Sequence, residues 1–291
     1  MNSVFFQPAD DNGRRMMTEY IESEHGKVER QRIGSSIMGR DIDAYIIGKG
    51  QGRVAFFGGY HASESITCNL LFAFTEALLS GKAWGRYDAL TILSAFTFVI
   101  VPMVNPDGAE MRIRGIDQAA PLAARQMAMC RGDASHWQAN ARGVDLNHNH
   151  DHRFTEYKEL ERRLGISPGA TLYSGEYPES EPESRAAAAL VRALAPMGVV
   201  SLHSQGEVIY PHPSTEKSLR VAERMREASG YGISVPDGTA EYGGLCDYTG
   251  DLGIPSFTVE VGIGENPLPE SVLDRVFSSV APMLFAFPTF L

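Results

Sequence analysis

The chain has 291 residues, 43% hydrophobic and 21% charged, enough for a sizeable core in one large α/β domain or two small ones. Its net charge of -10 excludes the Lys/Arg-rich surface that nucleic-acid phosphates demand. Residues 92–104, the longest apolar stretch, are interrupted by Ser94, Thr97 and Pro102 and are too short to span a bilayer, so no membrane partner is expected.

Residues 1–17 carry no secretory pattern, and residues 16–24 read as a short polar helix in an N-terminal extension, 1–27. Strand candidates follow at 28–35 and 41–47. In the second, Ile42, Ala44 and Ile46 alternate with Asp43, Tyr45 and Ile47, as in an edge or half-buried strand. A third strand, 54–58, runs into Gly58-Gly59-Tyr60-His61-Ala62-Ser63-Glu64. From Ser65 a helix is predicted, because Ile66, Leu70, Leu71, Phe74 and Leu78 recur on one face. Ser63 or Ser65 is its candidate cap, and its end is expected near residues 79–81.

Residues 93–101 read as a central strand, closed by Pro102 and by the turn signal Asn105-Pro106-Asp107-Gly108. A surface excursion with a helix near 121–129 is expected next, then a polar loop over 137–151. Residues 156–163, rich in both charges, read as a solvated face. Helices are predicted over 181–194, 214–229 and 269–287, and strands over 199–202 and 257–261. Strands and helices interleave without linker or repeat. The expectation is a single α/β domain over 1–291, an α/β/α sandwich with a mixed, mostly parallel central sheet.

Chemistry-bearing residues gather at predicted strand ends. His61 and Glu64 follow one strand, His203 ends a second, and Glu260 lies among apolar neighbours on a third. Two His and one Glu suit a catalytic Zn²⁺ site with an open fourth position, and a further carboxylate can serve as base. A buried acid such as Glu260 is costly unless paired or functional.

Taken in order, the glycine-led His61–Glu64 turn, Asn105-Pro106-Asp107-Gly108, Arg142-Gly143-Val144-Asp145-Leu146-Asn147, Ser201-Leu202-His203-Ser204 and Thr258-Val259-Glu260-Val261-Gly262 resemble the zinc metallocarboxypeptidase family. Ser180-Glu181-Pro182-Glu183 and the short insertions look most like its bacterial branch acting on γ-D-glutamyl–diamino acid bonds of cell-wall peptides. The resemblance implies His61, Glu64 and His203 as zinc ligands. It implies Glu260 as the base that activates water and then protonates the leaving amine. Asn147 would hold a substrate carboxylate or main chain, and Tyr242, with Tyr248 as rival, is the candidate for the family's mobile tyrosine.

Two departures bear on substrate. The family's usual Asn-Arg pair is Asn147-His148 here, and imidazole cannot reproduce a bidentate guanidinium clamp. The family's carbonyl-polarising Arg falls near Gln138, which supplies a donor without charge; losing such a donor can cost roughly 10²–10³ in rate. Arg142, Arg112 and Arg114 are the candidate substitutes. His148, His150 and His152 would share one face of an extended segment, forming either a second metal site or a polar cleft rim with His148 pointing in.

The leading expectation is therefore a cytoplasmic zinc peptidase acting on a small, acidic, murein-type peptide. Three widely spread cysteines, Cys68, Cys130 and Cys246, fit reduced thiols in that compartment better than a disulfide framework. The competing readings are an N-acyl amino acid deacylase of the succinylglutamate desuccinylase/aspartoacylase type and a low-turnover peptide-binding member of the fold.

Overall fold

The computed structural model describes residues 1–81, 83, 84 and 87–291. In chain order the strands are β1 (Arg30–Ser35), β2 (Asp41–Ile47), β3 (Gly52–Phe57), a small ribbon of β4 (Ala83–Trp84) and β5 (Tyr87–Asp88), β6 (Phe96–Val101), β7 (Gly198–His203), β8 (Val208–His212), β9 (Gly232–Ile233) and β10 (Ser256–Glu260). All but the ribbon form one sheet ordered β1-β2-β6-β3-β7-β10-β8-β9. Its centre, β6-β3-β7-β10, is parallel, while β1 with β2, β2 with β6 and β8 with β10 pair antiparallel and β9 joins β8 in parallel.

Helices cover both faces. α1 (Asp11–His25), α2 (Ser65–Leu79), α8 (Glu216–Ser229) and α10 (Leu273–Ala286) bury one side, with Met17, Leu70, Phe74, Val221, Met225 and Leu284 in one core. α7 (Pro182–Leu194) and α9 (Leu245–Asp251) cover the other through Ala187, Val191, Leu245 and Tyr248. Strand side chains alternate between these cores. Val54 and Phe56 of β3 face the first and Ala55 and Phe57 the second, so the strand reads as unbroken apolar sequence. The result is the expected α/β/α sandwich. Residues 1–27 are helical in part, and Phe5, Met17 and Ile21 join the first core. No helix among the described residues is long and apolar enough to cross a membrane.

Several local expectations give way to capping and packing. α1 starts at Asp11, because the Asp10 carboxylate accepts the Gly13 amide at 2.7 Å. β2 lies one strand in from the edge and buries residues on both faces, whereas β1 takes the edge. Residues 93–95 end a short helix, α3 (Ala89–Ala95), capped by Asp88, so the central strand starts only at Phe96. Asn105-Pro106-Asp107-Gly108 opens a helix, α4 (Pro106–Arg114). Asn105 accepts the Gly108 amide and Pro106 fills the first turn, where its missing N–H costs nothing.

α5 (Ala123–Cys130) stands where the excursion helix was expected. Residues 156–163 fall in α6 (Phe154–Leu164), which buries Phe154, Tyr157 and Glu161 and is otherwise largely solvated; Glu161 is paired with Lys158 and accepts the Ser174 amide at 2.6 Å.

Candidate metal centre

β3, β7 and β10 run parallel, so their carboxyl ends open on one edge of the sheet, where α/β folds place ligand sites. The chain leaves β3 through Gly58 and Gly59. A Cβ on Gly59, whose φ is +60°, would meet the Met103 sulfur at 2.5 Å, so only glycine lets the turn pass. A 3-10 turn, Ala62–Glu64, then leads into α2. No serine caps α2: Glu64 occupies the cap position without a side-chain cap bond, because its carboxylate is turned toward two imidazoles.

His61 Nδ1 lies 2.9 Å from Glu64 Oε1, and His203 Nδ1 lies 3.1 Å from Glu64 Oε2. The two Nδ1 atoms are 3.4 Å apart. This is the one His/Cys/Asp/Glu group among the described residues whose donor atoms converge, all within 4.8 Å. The far nitrogens are held from behind: His61 Nε2 by Asp145 Oδ1 at 3.1 Å, His203 Nε2 by the Ser201 hydroxyl at 3.2 Å. Each ring is thus fixed with Nδ1 facing the cluster, the arrangement that orients histidine ligands. Glu64 is 4% exposed, and its Oε2 lies near His203 without a well-aligned hydrogen bond. Two aimed imidazole nitrogens and a buried carboxylate oxygen fit Zn²⁺.

The charges reinforce one another. Burial opposes the His61 cation, but Glu64 and then Asp145 override it and hold the imidazole pKa well above its ordinary value. Burial opposes the Glu64 anion too, but His61 and His203 outweigh it and hold the carboxyl below its usual range. Asp145 is lowered for the same reason, burial being outweighed chiefly by His61 and His148.

Glu260 is the cross-strand partner of His203 on the same sheet face. Burial, followed by repulsion from Glu64, raises its pKa. It borders a cavity of about 130 Å³ lined by Asn147, Tyr210, His212, Asp247 and Thr258, with Asp237 and Ala240 also on its wall. His212 Nδ1 lies 2.6 Å from Asp247 Oδ1, and Asp247 Oδ2 accepts the Gly244 amide at 3.2 Å.

The remaining candidates fare unevenly. Asn147 lines the cavity. Gln138 is joined to the metal turn, since its carbonyl accepts the Ala62 amide at 3.0 Å, and its Oε1 accepts from Thr171 at 2.7 Å. Arg142 is turned away: it is half-exposed, 3.6 Å from Glu181, and lines a separate cavity with Arg125 and Tyr173. His148 does not point into the cleft, because its ring stacks on Tyr157 at 4.5 Å and its Nδ1 donates to the Tyr242 carbonyl at 2.7 Å. The Tyr242 ring lies under the Arg153 guanidinium at 4.4 Å and is absent from the cavity wall. Tyr248 is buried in α9 with its hydroxyl accepting from Arg192.

The second histidine site does not form. His150 is buried against Tyr60, burial drives its pKa down to about 3, and His152 pairs with Asp251. Trp137 is a packing residue, buried with Ala62, Met111 and Ala139.

Four residues of this region escaped sequence reasoning. Asp145 sits inside a motif that was quoted, yet only the fold brings it behind His61. Tyr210 and His212 lie on β8, whose alternation is masked by Pro211. Asp247 carries the signal of a helix-start acid three residues after Gly244.

A carboxylate–imidazole metal cluster at the carboxyl edge of a mixed α/β/α sheet, with a separate carboxylate beside it, defines the metallopeptidase class of site. The family profile described as zinc carboxypeptidase (Peptidase_M14) matches residues 14–277, and the chain belongs to that family. It is 32% identical over 270 residues to γ-D-glutamyl-L-diamino acid endopeptidase 1 of Lysinibacillus sphaericus, covering 87% of this chain and 65% of that protein. The chain thus spans a little under two thirds of that relative's length.

Among solved structures it superposes on thrombin-activatable fibrinolysis inhibitor with a TM-score of 0.77 at 22% identity, covering 99% of this chain and 75% of the other. It superposes on murein-tripeptide amidase MpaA of Escherichia coli O157 with a TM-score of 0.57 at 19% identity, covering 90% and 94%. Both likenesses establish the fold.

Proposed function

We propose that this protein is a zinc-dependent peptidase hydrolysing the amide between a γ-D-glutamyl unit and a diamino acid in small cell-wall-type peptides. The observation carrying this reading is the cavity beside Glu260. Its wall holds Asp237, Asp247, His212 and Glu260 and, among the described residues, no Arg or Lys. Such a lining favours a leaving residue whose side chain carries an ammonium, as a diamino acid's does, over one whose only side-chain charge is a carboxylate. The commitment of His148 to Tyr157 and Tyr242 removes the position where the family clamps an ordinary C-terminal carboxylate.

In this reading His61, Glu64 and His203 hold the ion, with Asp145 and Ser201 fixing the imidazoles. Bound zinc supplies Lewis acidity toward water and the scissile carbonyl. Glu260 accepts the proton of the attacking water and returns it to the leaving amine. Its raised pKa suits it to hold that proton between the two steps. Asn147 orients the leaving residue from the cavity wall, and Gln138 offers its amide N–H to the developing oxyanion.

The family assignment favours a peptidase over an N-acyl amino acid deacylase. A cytoplasmic setting belongs to the same proposal, supported by the free thiols of the buried Cys68 and Cys246.

Mass spectrometry of L-Ala-γ-D-Glu-diaminopimelate and of an ordinary α-linked peptide, each incubated with zinc-loaded protein, tests the reading. Release of free diaminopimelate from the first alone is expected. Removal of a C-terminal residue from the second, with the first intact, would overturn it.

A further inference from the structure

Among the described residues, four arginine and lysine side chains are half-buried: Arg14, Arg40, Arg112 and Lys158. Three of them neutralise acids. Arg14 pairs with Asp11, Arg40 with Asp11 and Asp107, and Lys158 with Glu161. Arg112 forms no ion pair with any described residue; its Nη2 donates to the Ser65 hydroxyl at 3.1 Å, and its Nε is buried without a partner. Burial lowers its pKa, with only Glu270 nearby acting in the opposite sense. A partly desolvated guanidinium without a counter-ion is unfavourable unless an anion completes it.

Its position says which anion. Arg112 lies on α4, which packs on the 3-10 turn Ala62–Glu64, and Ser65 directly follows Glu64. The guanidinium therefore bonds the residue that follows Glu64 in the chain. The cavity beside Glu260, the proposed site of the leaving residue, is lined by other elements and does not include it. A γ-linked glutamyl unit differs from an α-linked residue in keeping a free α-carboxylate a few bonds from the scissile carbonyl, on the acyl side.

We infer that Arg112 is a specificity-determining residue that binds the free α-carboxylate of the acyl-side γ-glutamyl unit, its fork of N–H donors replacing the missing counter-ion. This rests on the proposed function and adds to it the recognition of the acyl side.

The probe is a substrate pair, L-Ala-γ-D-Glu-diaminopimelate and its α-carboxamide counterpart, differing only in that carboxylate. The native protein is expected to prefer the acid roughly 10- to 100-fold in kcat/KM, the range of a charge-assisted hydrogen bond. Arg112→Gln should abolish the preference by slowing the acid while sparing the amide, and Arg112→Lys should restore part of it. Equal slowing of both substrates by Arg112→Gln would reveal a structural role and overturn the assignment, as would a native protein indifferent to the pair.

Calorimetric titration of the same pair into zinc-loaded Glu260→Gln protein reads recognition without turnover. Acid-over-amide binding lost in Glu260→Gln/Arg112→Gln supports the assignment even if the native protein cleaves neither substrate, a result that would sink the hydrolytic reading alone. Equal binding of acid and amide sinks the Arg112 assignment.

Discussion

Two sets of histidines lie within this molecule and behave in opposite ways. His61 and His203 are 142 positions apart, yet their Nδ1 atoms stand 3.4 Å from each other across Glu64. His148, His150 and His152 are spaced for one face of an extended segment, yet each ring is claimed by a different partner: Tyr157 and the Tyr242 carbonyl, Tyr60, and Asp251. The first pair is delivered by the ends of adjacent parallel strands, which fix direction as well as position. The second set lies on an irregular segment around a 3-10 turn, Leu146–His148, where a two-residue alternation has no reason to persist. Spacing along the chain predicts convergence only where regular backbone carries it.

The comparison can be pressed experimentally. Glu260→Gln should lower kcat by roughly 10²–10⁴ while zinc content by atomic emission stays near one per chain, separating base from ligand. Loss of zinc from this variant would place Glu260 inside the cluster. Asp145→Asn, which removes the charge behind His61, should weaken zinc affinity by roughly 10–100-fold in chelator competition. Unchanged affinity would mean that the ring is held by packing alone.

A third test uses a carboxylate outside both histidine sets. Glu183 is fully buried, and that burial lifts its pKa to about 7. A carboxyl whose folded pKa is raised disfavours its anion in the folded state. Stability should therefore be level below the ordinary carboxylate range, fall as pH rises through about 7, and level off above, by roughly 3 kcal/mol. Glu183→Gln should flatten that decline in thermal melts, equally with and without zinc. A decline that persists in the variant would assign it to other groups.

The smallest effect is expected at His152. His152→Ala breaks a partly exposed pair with Asp251, worth at most about 1 kcal/mol, and should leave zinc stoichiometry and kcat untouched. A fall in bound zinc would restore the second-site reading of that segment.

Local chemistry along the chain was enough for much of this protein. The unbroken apolar strands, the helical periodicity after Ser65 and the Ala-rich helix after Pro182 follow from side-chain period and end signals, and they specify the layered α/β/α class. His61, Glu64, His203 and Glu260 were legible because each sits where a readable strand ends. Where short-range signals compete, reading along the chain failed: Asn105-Pro106-Asp107-Gly108 serves a turn and a helix start equally well, and Pro211 hides β8.

The surroundings of the site were decided by tertiary structure alone. Only folding sets Asp145 behind His61, lays His148 on Tyr157, turns Arg142 toward Glu181 and leaves Arg112 unpaired beside Ser65. The reason is physical: periodicity and capping act within a few residues, whereas the partner of a long polar side chain depends on which distant element packs against it.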